Sequence, residues 1–180
     1  MSSELVEVNV EDFINVTDYV ANGSFSSLKE NVNYIENDGY AILIRLVDYN
    51  NGWGGDFRFV DKTSYEFLGK SSVVPGDVVI SNVGANAGTV FKVPDLGKPM
   101  TLGPNSVLLK PRVDLQEVKD YLYYFFSSPV GQHLLNSITA GSAQPKFNKT
   151  DLRSRNIPIP ADGNYEKIIS PLLSLLCSSH

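Results

Sequence analysis

Residues 141–160 read GSAQPKFNKTDLRSRNIPIP. The stretch reads as a loop, a short element and an exit through a strand. Gly141, Ser142 and Pro145 punctuate the loop. Phe147, Leu152, Ile157 and Ile159 are apolar pegs for a core. Between them stand Lys146, Lys149, Arg153 and Arg155 against the single acid Asp151, a net +3 in a chain that carries −5. Ser142, Gln144, Asn148 and Thr150 add side chains that both donate and accept hydrogen bonds. That combination suits a polyanion whose groove edges must also be read. The alternative is a solvated polar loop pinned by its apolar residues.

The 180-residue chain suffices for one domain with a sizeable core. A hydrophobic content of 42% with 19% charged residues is ordinary for a globular domain. No apolar run approaches the ~20 residues of a membrane span. No charged-then-apolar leader opens the chain. Cys177 is the one cysteine, which excludes an internal disulfide. The absence of export features makes the cytoplasm the expected compartment. The net charge of −5 argues against a surface that binds nucleic acid all over. Its distribution is uneven: residues 1–40 hold one Lys against eight acids, and residues 41–140 hold nine charges of each sign. The basic stretch therefore stands apart in a polarised chain.

Val6, Val8 and Val10 alternate as in a strand. Asn22 to Ser27 reads as a turn. Gly39 is followed by YAILIRLVDY, residues 40–49, which reads as one continuous strand buried on both faces. In NNGWGGDFRF, residues 50–59, Gly52, Gly54 and Gly55 surround Trp53. Either the indole folds back onto the core, or the loop is a mobile recognition element in which Trp53 or Arg58 meets a partner. Lys62 to Gly69 reads as a short helix; Val78 to Ile80, Val90 to Val93 and Ser106 to Leu109 read as strands. Asp114 is the expected N-cap of a helix that buries Leu115, Val118, Leu122 and Phe125. Ser128-Pro129 opens a second helix. A third, over residues 165–176, carries Ile168, Ile169, Leu172, Leu173 and Leu176. This stripe is too apolar to stand in water. It docks on its own domain or packs against another chain.

Catalytic patterns are absent. Two histidines and one cysteine cannot supply a clustered zinc site. Neither His133 nor His180 has a nucleophile motif around it, and there is no dinucleotide or phosphate-loop fingerprint. No cofactor is expected. Pro94-Asp95 followed by Glu117-Val118-Lys119 imitates the loose signature of metal-dependent nucleases. The triplet falls in a predicted helix, however, with Val118 buried and Glu117 and Lys119 pointing outward.

The order of several stretches resembles a known family. These are Tyr65 to Ile80 with its VVPGDVVI ending, GANAGTV at Gly84 to Val90, and TLGPNSVLLKP at Thr101 to Pro111. YLYYFFSSPVGQHLL at Tyr121 to Leu135 and the stretch from Gly141 to Pro160 complete the series. It resembles one target recognition domain of the specificity subunit of type I restriction–modification systems. The resemblance implies an α+β fold: a compact, twisted, β-rich domain with peripheral helices, and a C-terminal helix that would begin a coiled coil. It implies a recognition domain over residues 1–160 and a connecting or dimerisation helix over 161–180. The implied role is to read one half of a bipartite double-stranded DNA site and to place the methyltransferase and restriction subunits on it, without catalysis. Such subunits carry two of these domains. The chain has room for one, so a half-subunit, a remnant or a fragment is expected. For this role the candidate DNA contacts are Ser142, Gln144, Lys146, Asn148, Lys149 and Arg153. Arg58, Asn82, Asn86 and Lys92 join them from outside the stretch. Ile168, Ile169, Leu172, Leu173 and Leu176 form the candidate partner interface, with a homodimer as one outcome. The rival expectations are a small DNA-acting enzyme, or part of a fused one, and a protein-interaction module that has lost DNA binding.

Overall fold

A computed structural model describes residues 4–141 and 143–170. The first half runs β1 (Leu5–Asn9), α1 (Val10–Phe13), β2 (Ile14–Asp18), α2 (Phe25–Asn31), β3 (Tyr34–Ile35), β4 (Ala41–Ile44), α3 (Leu46–Asn50) and β5 (Arg58–Val60). Then come α4 (Lys62–Phe67), β6 (Ser72–Val73), β7 (Val78–Ser81), β8 (Val90–Lys92), β9 (Met100–Leu102) and β10 (Ser106–Pro111). The rest is α5 (Gln116–Ser127), α6 (Pro129–Ile138), α7 (Lys149–Arg153) and β11 (Asn156–Pro160), followed by helical residues 166–170.

The strands form a four-stranded antiparallel sheet in the order β2-β10-β7-β8 and a five-stranded mixed sheet in the order β3-β5-β4-β9-β6. In the second, β4 and β9 run parallel. A separate ribbon pairs β1 with β11, from Leu5 opposite Pro160 to Asn9 opposite Asn156.

Why the strands read as unbroken apolar runs follows from the period of two. In β10, Val107 and Leu109 face one core while Leu108 faces another. In β7, Val78 and Ile80 face the first and Val79 the second. In β4, Ile42 and Ile44 join that second core, and Ala41 and Leu43 face a third. The second core is thus the seam between the two sheets. The first is roofed by Leu122 and Phe126 of α5, Leu135 of α6 and Leu152 of α7. The third is roofed by Leu28 of α2 and by Leu68 just after α4. The result is a layered α+β domain, β-rich inside with helices at the periphery, as the resemblance implies.

Four local expectations are corrected. The run from Tyr40 to Tyr49 is not one strand, because β4 ends at Ile44 and α3 begins at Leu46. The Asp48 carboxylate accepts the Arg45 N–H at 2.8 Å and pairs with its guanidinium at 2.7 Å, which starts a helix instead. Asn22 to Ser27 is not simply a turn, since Ser24 caps α2 by accepting the Ser27 N–H. Asp114 is not the cap of α5; Leu115 holds that position. Lys119 does not point outward. It is 6% exposed, and its ammonium lies 3.1 Å from Asp77 and 2.9 Å from Asp114. Its long stem crosses the apolar face and brings the charge to Asp77, itself 1% exposed.

Trp53 folds back: its ring lies 5.9 Å from Phe91 and 6.1 Å from Tyr49. Tyr165 and Ile169 enter the first core with Ile168 against it, so this part of the C-terminal stripe docks on its own domain. Leu172, Leu173, Leu176 and the expected coiled-coil continuation lie outside the described residues.

Candidate nucleic-acid interface

One end of the four-stranded sheet gathers three connections: the β7–β8 loop, the β9–β10 turn and the segment from α6 to α7. Main-chain bonds lock them together. The Asn82 N–H donates to the Asn105 carbonyl at 3.1 Å. The Phe147 N–H donates to the Asn82 carbonyl at 3.1 Å, and the Asn82 amide returns a bond to the Phe147 carbonyl at 2.9 Å. The Gly84 N–H donates to Pro145 at 2.8 Å, while Ala140 and Lys146 exchange two bonds of 2.9 Å. Gly84 adopts φ +87°, a backbone region closed to most side chains, and so lets the β7–β8 loop turn back on itself. Asn86, Asn105, Gln144, Lys146 and Asn148 are exposed around this frame.

The basic residues behave differently from one another. Lys146 is exposed and, among the described residues, joins no ion pair. Lys149 is half-buried, with its ammonium 2.7 Å from Asp18 at the end of β2. Arg153 donates to the Val16 carbonyl of the same strand. Asn148 caps α7 by accepting the Asp151 N–H at 2.8 Å. The two basic residues of α7 therefore fasten that helix to β2, and among the described residues of this rim Lys146 is the one that offers an ammonium outside any ion pair.

Of the other candidates, Asn82 and Asn86 belong to this end, while Ser142 lies outside the described residues. Lys92 pairs with Asp120 at 2.9 Å and sits 5.1 Å from the Tyr123 ring centre. Asn86 and Tyr123 share a concavity of about 420 Å³ with Tyr49, Thr89 and Gln132, and Lys92 is not among its lining residues. Arg58 is not brought here. Its guanidinium lies over Tyr34, 5.5 Å from the ring centre, in a different concavity among Glu36, Asp38 and Asp56. Sequence reasoning missed Asn105 and Asp18. The Gly103-Pro104-Asn105 turn signal before a strand could have found the first. Nothing local marks the second, because its partner is far along the chain.

The apparent nuclease signature does not assemble. Asp95 accepts the Gly97 N–H at 2.8 Å in its own turn, and Lys119 is engaged by Asp77 and Asp114. Among the described residues no three His, Cys, Asp or Glu side chains gather as a metal site. No helix of the described residues is long and apolar enough to cross a membrane.

The two-sheet domain thus gathers its loops at one sheet end as a polar rim on a rigid frame, the placement in which loops carry function. The family follows directly. Residues 3–177 match the model of the type I restriction modification DNA specificity domain, and the chain belongs to that family. Comparison with curated proteins finds no match. Among solved structures, the type I restriction-modification S subunit from M. genitalium is 15% identical, with a TM-score of 0.59 over 98% of this chain. The HsdS subunit from Thermoanaerobacter tengcongensis is 17% identical, with a TM-score of 0.65 over 97%. A chain from work on complex assembly and conformational transition of the type I R-M system is 16% identical, with a TM-score of 0.65 over 99%. The likeness is one of fold. This chain spans about two-fifths of their lengths, covering 38–40% of each.

Proposed function

We propose that this chain is a non-catalytic DNA-recognition module of a type I restriction–modification system. It reads one half of a bipartite double-stranded site and positions the methyltransferase and restriction subunits on it. The observation that carries this reading is the rim of Asn86, Asn105, Gln144 and Lys146, held by main-chain bonds at one sheet end, in a chain of the DNA specificity domain family. Asn and Gln amides suit adenine edges in the major groove, and a free ammonium suits a phosphate. Lys149 and Arg153 serve the same end by fixing α7 beneath the rim.

Selection of bound duplexes from a random pool, followed by titration on the selected and a scrambled duplex at two salt concentrations, tests the reading. The expected result is a sequence preference together with an affinity that falls as salt rises. Methyl transfer or strand cleavage by the purified chain, given S-adenosylmethionine or magnesium, would favour an enzyme instead.

A further inference from the structure

We propose that Asn82 determines specificity without touching DNA, as the positioning residue that sets the rim's three loops in register. This rests on the DNA-recognition reading above. Among the described residues, Asn82 is the one bonded to both of the other connections. Its N–H reaches Asn105 in the β9–β10 turn, and its carbonyl and side-chain amide both reach Phe147 in the α6–α7 segment. Its neighbours extend the same junction, with Val83 bridged to Lys146 and Gly84 bonded to Pro145. The residues available to read DNA are thus arranged on both sides of it: Asn86 a few positions on, Asn105 across one bond, and Gln144 and Lys146 beside Pro145 and Phe147.

Base readout needs donors and acceptors at fixed separations, whereas phosphate contact tolerates some displacement. Phe147 is 3% exposed, so its carbonyl has little access to water if the Asn82 amide is removed. The main-chain bonds of Asn82 to Asn105 and Phe147 remain, and the carbonyl left without its amide partner drives a small readjustment of the α6–α7 segment against the β7–β8 loop. A shift of that kind spoils edge recognition while leaving the charge of Lys146 in place.

The variants are Asn82→Ala and the isosteric Asn82→Asp, which sets a carboxylate against the Phe147 carbonyl. Both are titrated on selected and scrambled duplexes below their melting temperatures. The expected result is a selected-to-scrambled affinity ratio reduced by about tenfold, the scale of one lost base contact, with scrambled-duplex affinity and salt slope unchanged. A merely stabilising residue would lower the melting temperature and leave the ratio alone, and that result overturns the assignment. Equal loss on both duplexes overturns it too. A wild-type chain that binds no DNA defeats the underlying reading and this inference with it. A wild-type chain that discriminates, beside variants that discriminate equally, defeats the inference alone. If neither variant folds, hydrogen exchange on the wild type decides. Slow exchange of the Asn82, Gly84 and Phe147 amides in the free protein, unchanged by DNA, supports a preset frame; fast exchange without DNA contradicts it.

Discussion

Lys119 is the most consequential single side chain outside the rim. Burial works against its charge, but hydrogen bonds and charge from Asp114 and Asp77 outweigh this and hold the ammonium above its usual range. Removing a partner from a buried ion pair is costly because the other charge stays behind. Lys110 remains 3.1 Å from Asp77, which softens the loss. Lys119→Met is therefore expected to cost about 1–3 kcal/mol in a urea melt at neutral pH. A second prediction concerns acid. Asp61 caps α4, and its carboxyl is held below the usual range by the Ser64 N–H, then by the Asn33 amide. Its contribution is present above the ordinary carboxylate range and disappears as pH falls through the lowered value. Asp61→Ala should cost about 1 kcal/mol at neutral pH. Melting curves across pH should show the gap from wild type closing in strong acid. Residues of the first kind were not legible in the sequence. Helical periodicity puts Lys119 beside the buried face, but only the folded chain brings Asp77 under it. Asp18 is the same case, since Lys149 approaches it from the far end of the chain. The exposure of Lys146 was legible because it follows from a polar loop and needs no distant partner.

Elements carry the next level of specification. The apolar runs at 78–80 and 106–109 were readable as strands because both faces are covered, and the two cores divide them by parity. The run at 40–49 was not readable, because Asp48 ends the strand through a short-range carboxylate bond that hydropathy does not register. At the α5–α6 junction, Gly131 shows two opposed effects. A helical Gly→Ala change ordinarily gains up to about 1 kcal/mol. Here the added Cβ would stand 2.1 Å from the Phe125 carbonyl and 2.6 Å from the Phe126 Cα, both backbone atoms that cannot rotate away. Overpacking of this sort costs about 1–3 kcal/mol or more and wins over propensity. Gly131→Ala should therefore lower stability in denaturant titration. The expected readout is a lower midpoint with an unchanged slope. A gain would mean that the two helices are not packed this closely.

At the scale of the whole molecule, one ion pair, Lys149–Asp18, joins the acidic N-terminal residues to the basic stretch, and Arg153 is spent on the Val16 carbonyl of the same strand. At the rim itself, among the described residues, Lys146 is the exposed ammonium outside any ion pair, set among amide side chains. Under the proposed function, a chain of net charge −5 meets its polyanion through this local rim. The fold also separates the candidate site from Arg58, whose guanidinium lies over Tyr34 among acids in another concavity. The comparison of Lys146→Glu with Arg58→Glu on a selected duplex, titrated at two salt concentrations, tests this placement most directly. Lys146→Glu should weaken binding by about tenfold or more and flatten the salt slope by about one unit. Arg58→Glu should leave both unchanged. Loss of binding in Arg58→Glu with full binding in Lys146→Glu would contradict the account and move the DNA surface away from the rim.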